Sequence, residues 1–161
     1  MATVLLPKKT KFGNYKLIGF IGSGGFSDVY QAEGPDGQKV AIKVLRVTDA
    51  DLSSVAERFA RERDILSFIG LRNVSKLIEA DLGSDRPWIA SEYVEGETLQ
   101  QYVDRTGPIA SDKIYSITSS ILRTLKELHE IGVVHRDLSP SNIILGPEGP
   151  TLIDFGTGRN D

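Results

Sequence analysis

The hydrophobic pattern changes its period along the chain, and this change constrains the fold more than any other feature of the sequence. Residues 15–47 form short, strand-like apolar runs separated by glycine-containing turns. From residue 55 onwards apolar side chains recur at helical spacing, and the longest helical pattern covers residues 111–131. Strands followed by helices in separate parts of one chain are typical of an α+β fold.

The first part of the chain is predicted to hold five strands and one helix. Three strands form an antiparallel meander and two more follow the helix; they cover residues 15–21, 26–32, 39–47, 76–81 and 87–94. Ser54 and Glu57 match a capping box at the start of the helix. One face of the helix carries Val55, Phe59, Glu62, Leu66 and Ile69.

The second part is predicted to be mainly helical. A connector with a short helix covers residues 95–107, and a long helix over residues 111–131 is ended by Gly132. Short strands follow at residues 133–134, 142–145 and 151–153. The buried stripe of the long helix is predicted to consist of Ile114, Ile117, Ile121, Leu125 and Leu128.

Composition excludes several classes of protein and site. The 161 residues include no cysteine and two histidines, which excludes disulfides, thiolate zinc sites and most histidine-based metal sites. The net charge is -3 and no basic run is dense enough for nucleic acid. No stretch approaches the roughly 18 apolar residues of a membrane span. We therefore expect a soluble, cytoplasmic protein that binds neither nucleic acid nor membrane.

A glycine-rich loop joins the first two predicted strands, and its residues are Ile21, Gly22, Ser23, Gly24, Gly25 and Phe26. Glycines allow backbone N–H groups to approach phosphate oxygens closely. A Rossmann loop must open a helix, whereas here a strand follows, so hairpin geometry is favoured. The loop alone leaves open whether it is a plain turn or a phosphate cover.

Lys43 follows three core-type strand residues that begin at Val40, so its side chain is expected to point inward or into a cleft. An unpaired ammonium group is costly there, and Lys43 therefore needs an anion nearby. Glu62 lies on the apolar face of the following helix, and its carboxylate needs a cation nearby in the same way. One interpretation is an ion pair that holds Lys43 against nucleotide phosphates. The alternative is two surface residues whose charged ends reach water.

Three polar residues near the end of the chain match phosphoryl-transfer chemistry. Asp137 lies in a polar loop and can accept a proton from a hydroxyl group. Asn142 and Asp154 supply oxygen atoms, which are the ligands that Mg²⁺ prefers.

In this order the motifs resemble those of the protein kinase family: a glycine-rich loop, a strand lysine, a helix glutamate, His135-Arg136-Asp137 with Asn142, and Asp154-Phe155-Gly156. The resemblance implies a kinase-like fold, with a five-stranded N-lobe sheet and one helix, and a partial helical C-lobe with the catalytic loop. The implied division is an extension at residues 1–14, an ATP-binding lobe at 15–94 and an incomplete C-lobe at 95–161.

The resemblance also implies the role of each site residue. ATP and Mg²⁺ are the implied cofactors, Asp137 is the catalytic base, and Lys43, paired with Glu62, contacts the phosphates. Asn142 and Asp154 are the implied metal ligands. The nucleotide site is completed by Val29, Ala41, Ser91, Glu92, Val94 and Ile144, in addition to the glycine-rich loop.

Some features depart from the family pattern. Ser27 replaces the third glycine of the loop, and Ser139 stands where Ser/Thr protein kinases typically have a lysine, although Pro140 keeps the Ser/Thr pattern. The family's activation segment and further helices do not follow Gly156 within this sequence. We therefore expect the apolar stripe of the long helix to be uncovered and phosphate transfer to peptides to be poor. The sequence does not identify the protein substrate or a completing partner. The alternatives are a pseudokinase-like interaction module, a small-molecule phosphotransferase remnant, and a fragment without a function of its own.

Overall fold

The computed structural model describes residues 5–46 and 52–155, together with the backbone of 159–160; the side chains of 52–55 are not described. The chain divides into two compact units. Unit 1 comprises Met1–Phe59 and Leu77–Tyr93, and unit 2 comprises Ala60–Lys76 and Val94–Asp161. The division falls inside helix α1, which spans Leu52–Phe68.

Unit 1 contains one antiparallel sheet of six strands. They are β1 (Lys11–Phe12), β2 (Tyr15–Ser23), β3 (Ser27–Glu33), β4 (Lys39–Leu45), β5 (Leu77–Asp81) and β6 (Trp88–Glu92). Their order across the sheet is β1-β2-β3-β4-β6-β5. The α+β class and the meander are confirmed, but the predicted number of five strands is wrong.

The additional strand is β1, in which Lys11 pairs with Lys16 and Phe12 pairs with Tyr15. A strand of two residues is too short to show an alternating pattern, so the sequence does not reveal it. Val47, the predicted end of the third strand, lies outside the described residues, as does the side chain of Ser54 in the predicted capping box.

The core of unit 1 lies on one face of the sheet. Alternate residues of β4, namely Val40, Ile42 and Val44, are buried there. Trp88 packs edge-on against Phe12 and Tyr15, with ring centroids 6.3 and 5.8 Å away. The full cluster is Phe12, Tyr15, Leu17, Tyr30, Ala32, Val40, Ile42, Val44, Trp88 and Ala90. Because side chains alternate along a strand, Ala41 and Lys43 belong to the other face.

Unit 2 combines the second half of α1 and two complete helices with short strands. The elements are β7 (Glu97–Thr98), α2 (Leu99–Thr106), α3 (Ser111–Glu130), β8 (Val133–Val134), β9 (Ile143–Gly146), β10 (Gly149–Leu152) and β11 (Arg159–Asn160). A 3₁₀ turn, Pro140–Asn142, precedes β9. The strands form two small sheets, in the orders β10-β9-β7 and β11-β8. The predicted short helix and long helix are confirmed.

The buried stripe of α3 differs from the predicted one. It consists of Ile117, Ile121, Thr124 and Leu128, whereas Ile114 is 49% exposed and Leu125 is half-buried. At about 100° per residue, Ile114 and Leu125 lie at the flank of a stripe that includes Thr124. A polar threonine does not appear in a hydrophobic pattern, so the sequence placed the centre of the stripe wrongly. In the described parts of the chain, no helix is long and apolar enough to cross a bilayer.

Candidate active site

The glycine-rich loop is the turn of the β2–β3 hairpin. Gly22 pairs with Val29 and Ser23 pairs with Asp28 at its base. Within the turn, the Gly24 N–H donates to the Ser27 carbonyl over 2.8 Å. A strand follows the loop, as predicted, so it is not a Rossmann loop. Ile21 and Phe26 are 49% and 50% exposed, and Ser27 is buried.

Several predicted nucleotide residues lie in register across the sheet of unit 1. Val29 is paired with Gly22 on one side and with Lys43 on the other. Ala41 on β4 is paired with Ser91 on β6. Val29, Ala41, Lys43 and Ser91 are all half-buried, while Glu92 is exposed. Directly opposite residues point to the same face, so Val29 and Lys43 share the face opposite the core.

The remaining predicted nucleotide residues belong to unit 2. Val94 and Ile144 are half-buried, and Ile144 pairs with Thr98 and Thr151. Glu62 also falls in unit 2, and only 3% of it is exposed. A buried carboxylate needs a compensating partner, which favours the ion-pair interpretation for Glu62 over a surface residue. Pairing of Glu62 with Lys43 of unit 1 stays a prediction.

Asn142 holds Asp137 through its side chain. The amide nitrogen of Asn142 donates to the Asp137 carbonyl over 2.9 Å and to its Oδ2 over 3.2 Å. The Asn142 carbonyl accepts from the Ile153 N–H over 3.0 Å, directly before Asp154. Unit 2 therefore brings the three predicted polar residues into one connected segment. Both bonds to Asp137 use the nitrogen of Asn142, so its side-chain oxygen is the atom suited to a metal ion.

His135 is part of a motif identified in the sequence, but its organising role was not predicted. Its side chain is buried, with Nε2 3.1 Å from the Ile153 carbonyl oxygen and Nδ1 3.3 Å from the Asp137 N–H. The ring of Phe155 lies 4.5 Å from the imidazole, centroid to centroid. A carbonyl only accepts and an amide N–H only donates, so the ring is neutral, with its proton on Nε2. Burial lowers the pKa of His135, which favours this neutral form. The sequence signals for this role are the place of His135 in the motif and its position directly after the apolar pair Val133 and Val134.

Two residues of the candidate site have strained backbones. Arg136 and Asp154 adopt φ values of 62° and 63°, in the left-handed region that side chains other than glycine rarely occupy. Such strain collects at functional sites, where the surrounding structure holds it. Gly156, the last residue of the third motif, lies outside the described residues.

The donors of unit 2 match Mg²⁺ in kind. Asp154 is exposed and offers a carboxylate, and Asn142 offers an amide oxygen. No group of three or more His, Cys, Asp or Glu side chains is arranged to hold a metal ion in the described residues. Mg²⁺ usually takes one or two protein carboxylates, with water and substrate phosphates completing its ligands. A sparse donor set of this kind fits a cation that is shared with a nucleotide.

Comparison with known proteins decides the family. A model of the protein kinase domain matches residues 15–160. The chain belongs to the protein kinase family. This membership confirms the kinase-like fold implied by the motifs, apart from the number of strands.

Kinase relatives from bacteria resemble most of the chain. The probable serine/threonine-protein kinase PkwA of Thermomonospora curvata is 35% identical over 149 residues, which are 92% of this chain and 20% of that protein. The serine/threonine-protein kinase AfsK of Streptomyces griseus is 33% identical over 91% of the chain and 18% of its own length. PrkC of Bacillus subtilis, also a serine/threonine-protein kinase, is 34% identical over 94% of the chain and 24% of its own length. The chain thus resembles Ser/Thr protein kinases and spans about a fifth of their length.

Proposed function

We propose that this chain binds ATP with Mg²⁺ and transfers the γ-phosphate to Ser or Thr hydroxyl groups of a protein. The observation that carries the proposal is the pair of hydrogen bonds from Asn142 to Asp137. They fix the carboxylate that would accept the proton beside an amide oxygen suited to Mg²⁺. The similarity to proteins named Ser/Thr protein kinases, together with Pro140, supports a protein hydroxyl as the acceptor.

Unit 1 would contribute most of the residues that bind the nucleotide. The glycine-rich hairpin offers backbone N–H groups to phosphate oxygens, and Lys43 offers a cation. Lys43 lies opposite Val29, on the face of the sheet that does not carry the unit 1 core, which supports a role outside that core. Glu62 would position Lys43, and Val29, Ala41 and Ile144 would contact the adenine. The backbone of Glu92 and Val94 would bind the adenine edge, with Ser91 beside it.

Unit 2 would contribute the proton acceptor and the metal ligands. Asp137 would take the proton of the acceptor hydroxyl as the bond from its oxygen to the γ-phosphorus forms, while the bond from that phosphorus to the β–γ bridging oxygen breaks and ADP leaves. Asn142 and Asp154 would hold the metal. Bound Mg²⁺ would neutralise phosphate charge and so lower the cost of bringing the hydroxyl oxygen to the phosphorus. The division at residues 15–94 and 95–161 is proposed on the same grounds.

A second candidate function is nucleotide binding without catalysis. Ser139 supports it, because the lysine typical of Ser/Thr kinases at that position supplies positive charge to the transferring phosphate. In that case the role of the fold would be to bind a completing protein partner. Measurement of phosphate transfer, with and without a lysine at position 139, separates the two candidates.

Thermal shift with Mg-ATP tests the nucleotide site. A ligand that binds only the folded state raises the melting temperature, and saturation at about 100 times Kd adds about 2.7 kcal/mol to the free energy of unfolding. Lys43→Met should reduce the shift strongly, because the substitution removes a phosphate contact. The matched control is Lys16→Met, which removes an exposed lysine of β2 and should leave the shift unchanged. Equal shifts in both variants would contradict the assignment of Lys43.

A further inference from the structure

Arg46 ties the glycine-rich turn together from outside the hairpin. It follows β4 directly, and its N–H donates to the Phe26 carbonyl over 2.8 Å. Its guanidinium Nη2 donates to the carbonyl of Gly24 and, over 2.9 Å, to that of Gly25. Nη1 donates to Ser23 Oγ over 2.9 Å. One side chain thus contacts three successive residues of the turn.

A buried acid holds this guanidinium in place. Asp28 is 5% exposed, and its Oδ1 lies 3.5 Å from Arg46 Nη1. The same carboxylate oxygen accepts the Ser23 hydroxyl over 2.5 Å. We call the set of Ser23, Asp28, Arg46 and the Gly24 and Gly25 carbonyls the Arg46 bridge. A planar guanidinium with several donors in fixed directions can serve such a set, whereas an ammonium group cannot do so in the same geometry.

The Arg46 bridge dictates which way the turn amides point. In a planar trans peptide unit the C=O and N–H groups point in opposite directions. The Gly24 carbonyl shares a peptide unit with the Gly25 N–H, and the Gly25 carbonyl shares one with the Phe26 N–H. Both carbonyls are directed at Arg46, so both N–H groups are directed away from it. Two adjacent N–H groups with a common direction form a binding element for anions.

We propose that Arg46 is a positioning residue of the phosphate-binding loop, which aligns the Gly25 and Phe26 N–H groups for the phosphates of a nucleotide. The inference rests on the proposed nucleotide binding and extends it to a residue outside the family motifs. Glycines are flexible, and an unrestrained turn of three glycines loses conformational entropy when it closes on a ligand. Because Arg46 already restrains the turn before a ligand binds, less conformational entropy is lost on binding.

The first experiment measures the loop without any nucleotide. Amide hydrogen exchange of residues 22–27 is compared in the wild type, Arg46→Met and Arg86→Met. Arg86 is an exposed arginine of the turn before β6, so its substitution changes the charge equally. We expect exchange in the loop to quicken about tenfold in Arg46→Met and to stay unchanged in Arg86→Met. Unchanged loop exchange in Arg46→Met overturns the inference.

The second experiment measures binding of Mg-ATP and of adenosine to the same variants. Loss of the Arg46 bridge should raise the Kd for Mg-ATP about tenfold and leave the Kd for adenosine unchanged, because adenosine carries no phosphate. Arg46→Lys keeps the positive charge but not the planar guanidinium with its several N–H donors, so its Kd values should resemble those of Arg46→Met. It replaces Arg46→Met in both experiments if that variant does not fold.

The outcomes separate the inference from the function on which it rests. If the wild type binds Mg-ATP and Arg46→Met binds it equally well, the positioning role is overturned while the proposed function stands. If the wild type does not bind Mg-ATP, the proposed function fails and the phosphate role of Arg46 fails with it. Quickened loop exchange would then still show that Arg46 orders the turn. An equal loss of adenosine binding would show general damage to the fold and overturn the inference.

Discussion

At the scale of single residues, His135 links the candidate catalytic loop to the segment that carries Asp154. The imidazole contacts the Asp137 N–H on one side and the Ile153 carbonyl on the other. It can do both only as a neutral ring with its proton on Nε2. Protonation places a hydrogen on Nδ1, which then faces the Asp137 N–H, a second donor. The candidate site therefore depends on the charge state of one buried side chain.

We expect the stability of the protein to fall in mild acid because of His135. Burial holds the pKa of His135 below its ordinary value of 6.5, so the unfolded chain binds the proton more tightly than the folded one. The stability from this residue is fully present above about pH 6.5 and is lost as the pH falls through the folded-state pKa, by at most about 1.4 kcal/mol per pH unit. Urea denaturation between about pH 7.5 and pH 5.5, above the range in which most carboxylates titrate, measures it.

Histidine variants identify the source of this dependence. His135→Gln should flatten the pH profile at the expense of overall stability, since no titrating ring remains. The control, His129→Gln, replaces the exposed histidine of α3 and should keep the wild-type profile. If His129→Gln flattened the profile and His135→Gln did not, the assignment of the pH dependence to His135 would be wrong.

At the scale of elements, α3 shows which side chains support unit 2. Leu128 is 0% exposed, whereas Ile114, from the predicted stripe, is 49% exposed. Leu128→Ala should lower the free energy of unfolding by about 2–5 kcal/mol, because a buried cavity remains. Ile114→Ala should cost less than about half of that, since the side chain already contacts water. Chemical denaturation compares the two, and equal losses would show that the hydrophobic pattern described the stripe better than the structure does.

The approach of β7 to β9 requires a glycine immediately before β7. Gly96 has a φ of 143°, and a Cβ atom built on it would lie 2.4 Å from the Leu145 carbonyl oxygen. Gly96→Ala should therefore destabilise the protein by about 1–3 kcal/mol, because backbone must move. Gly70→Ala is the matched control in the same unit: apart from Gly70 and its two chain neighbours, no heavy atom lies within 4 Å of its Cβ position. Urea denaturation should place the control within about 0.5 kcal/mol of the wild type.

At the scale of the whole molecule, catalysis needs the nucleotide, the metal ligands and the acceptor hydroxyl together. We expect slow transfer of phosphate to peptides, because Ser139 supplies no positive charge where Ser/Thr kinases typically have a lysine. Ser139→Lys should raise the rate by about tenfold to a hundredfold, since the charge is added where the transferring group becomes most anionic. A radiolabelled-ATP assay on peptides measures it.

Asp137→Asn is the control for that assay. It keeps the shape of the side chain but removes the proton acceptor, so transfer should fall to background in both the wild-type and the Ser139→Lys sequence. Labelling that survives Asp137→Asn would come from another source. Nucleotide binding with no transfer even in Ser139→Lys would favour the non-catalytic function.

Much of the fold follows from local pattern, and the exceptions have specific causes. The strands from Tyr15 to Glu92 and the long helix α3 appear in the sequence because their apolar residues repeat with the period of the backbone. Strand β1 is missed because two residues show no period, and Thr124 is missed because a buried threonine looks polar. The candidate site residues are found by motif, because the order of chemically distinct groups is written in the chain.

The sequence by itself determined the class of fold, the positions of the principal elements and the family, since periodicity and motif order are local properties. Tertiary structure decided which groups meet. Arg46 contacts Ser23 across 23 residues, and His135 contacts Ile153 across 18. Neither pair has a sequence signature, because a contact between distant residues depends on strand register and on the turns between them. The hydrogen bonds of Asn142 to Asp137, only five residues apart, depend equally on the backbone between them, which includes the 3₁₀ turn Pro140–Asn142.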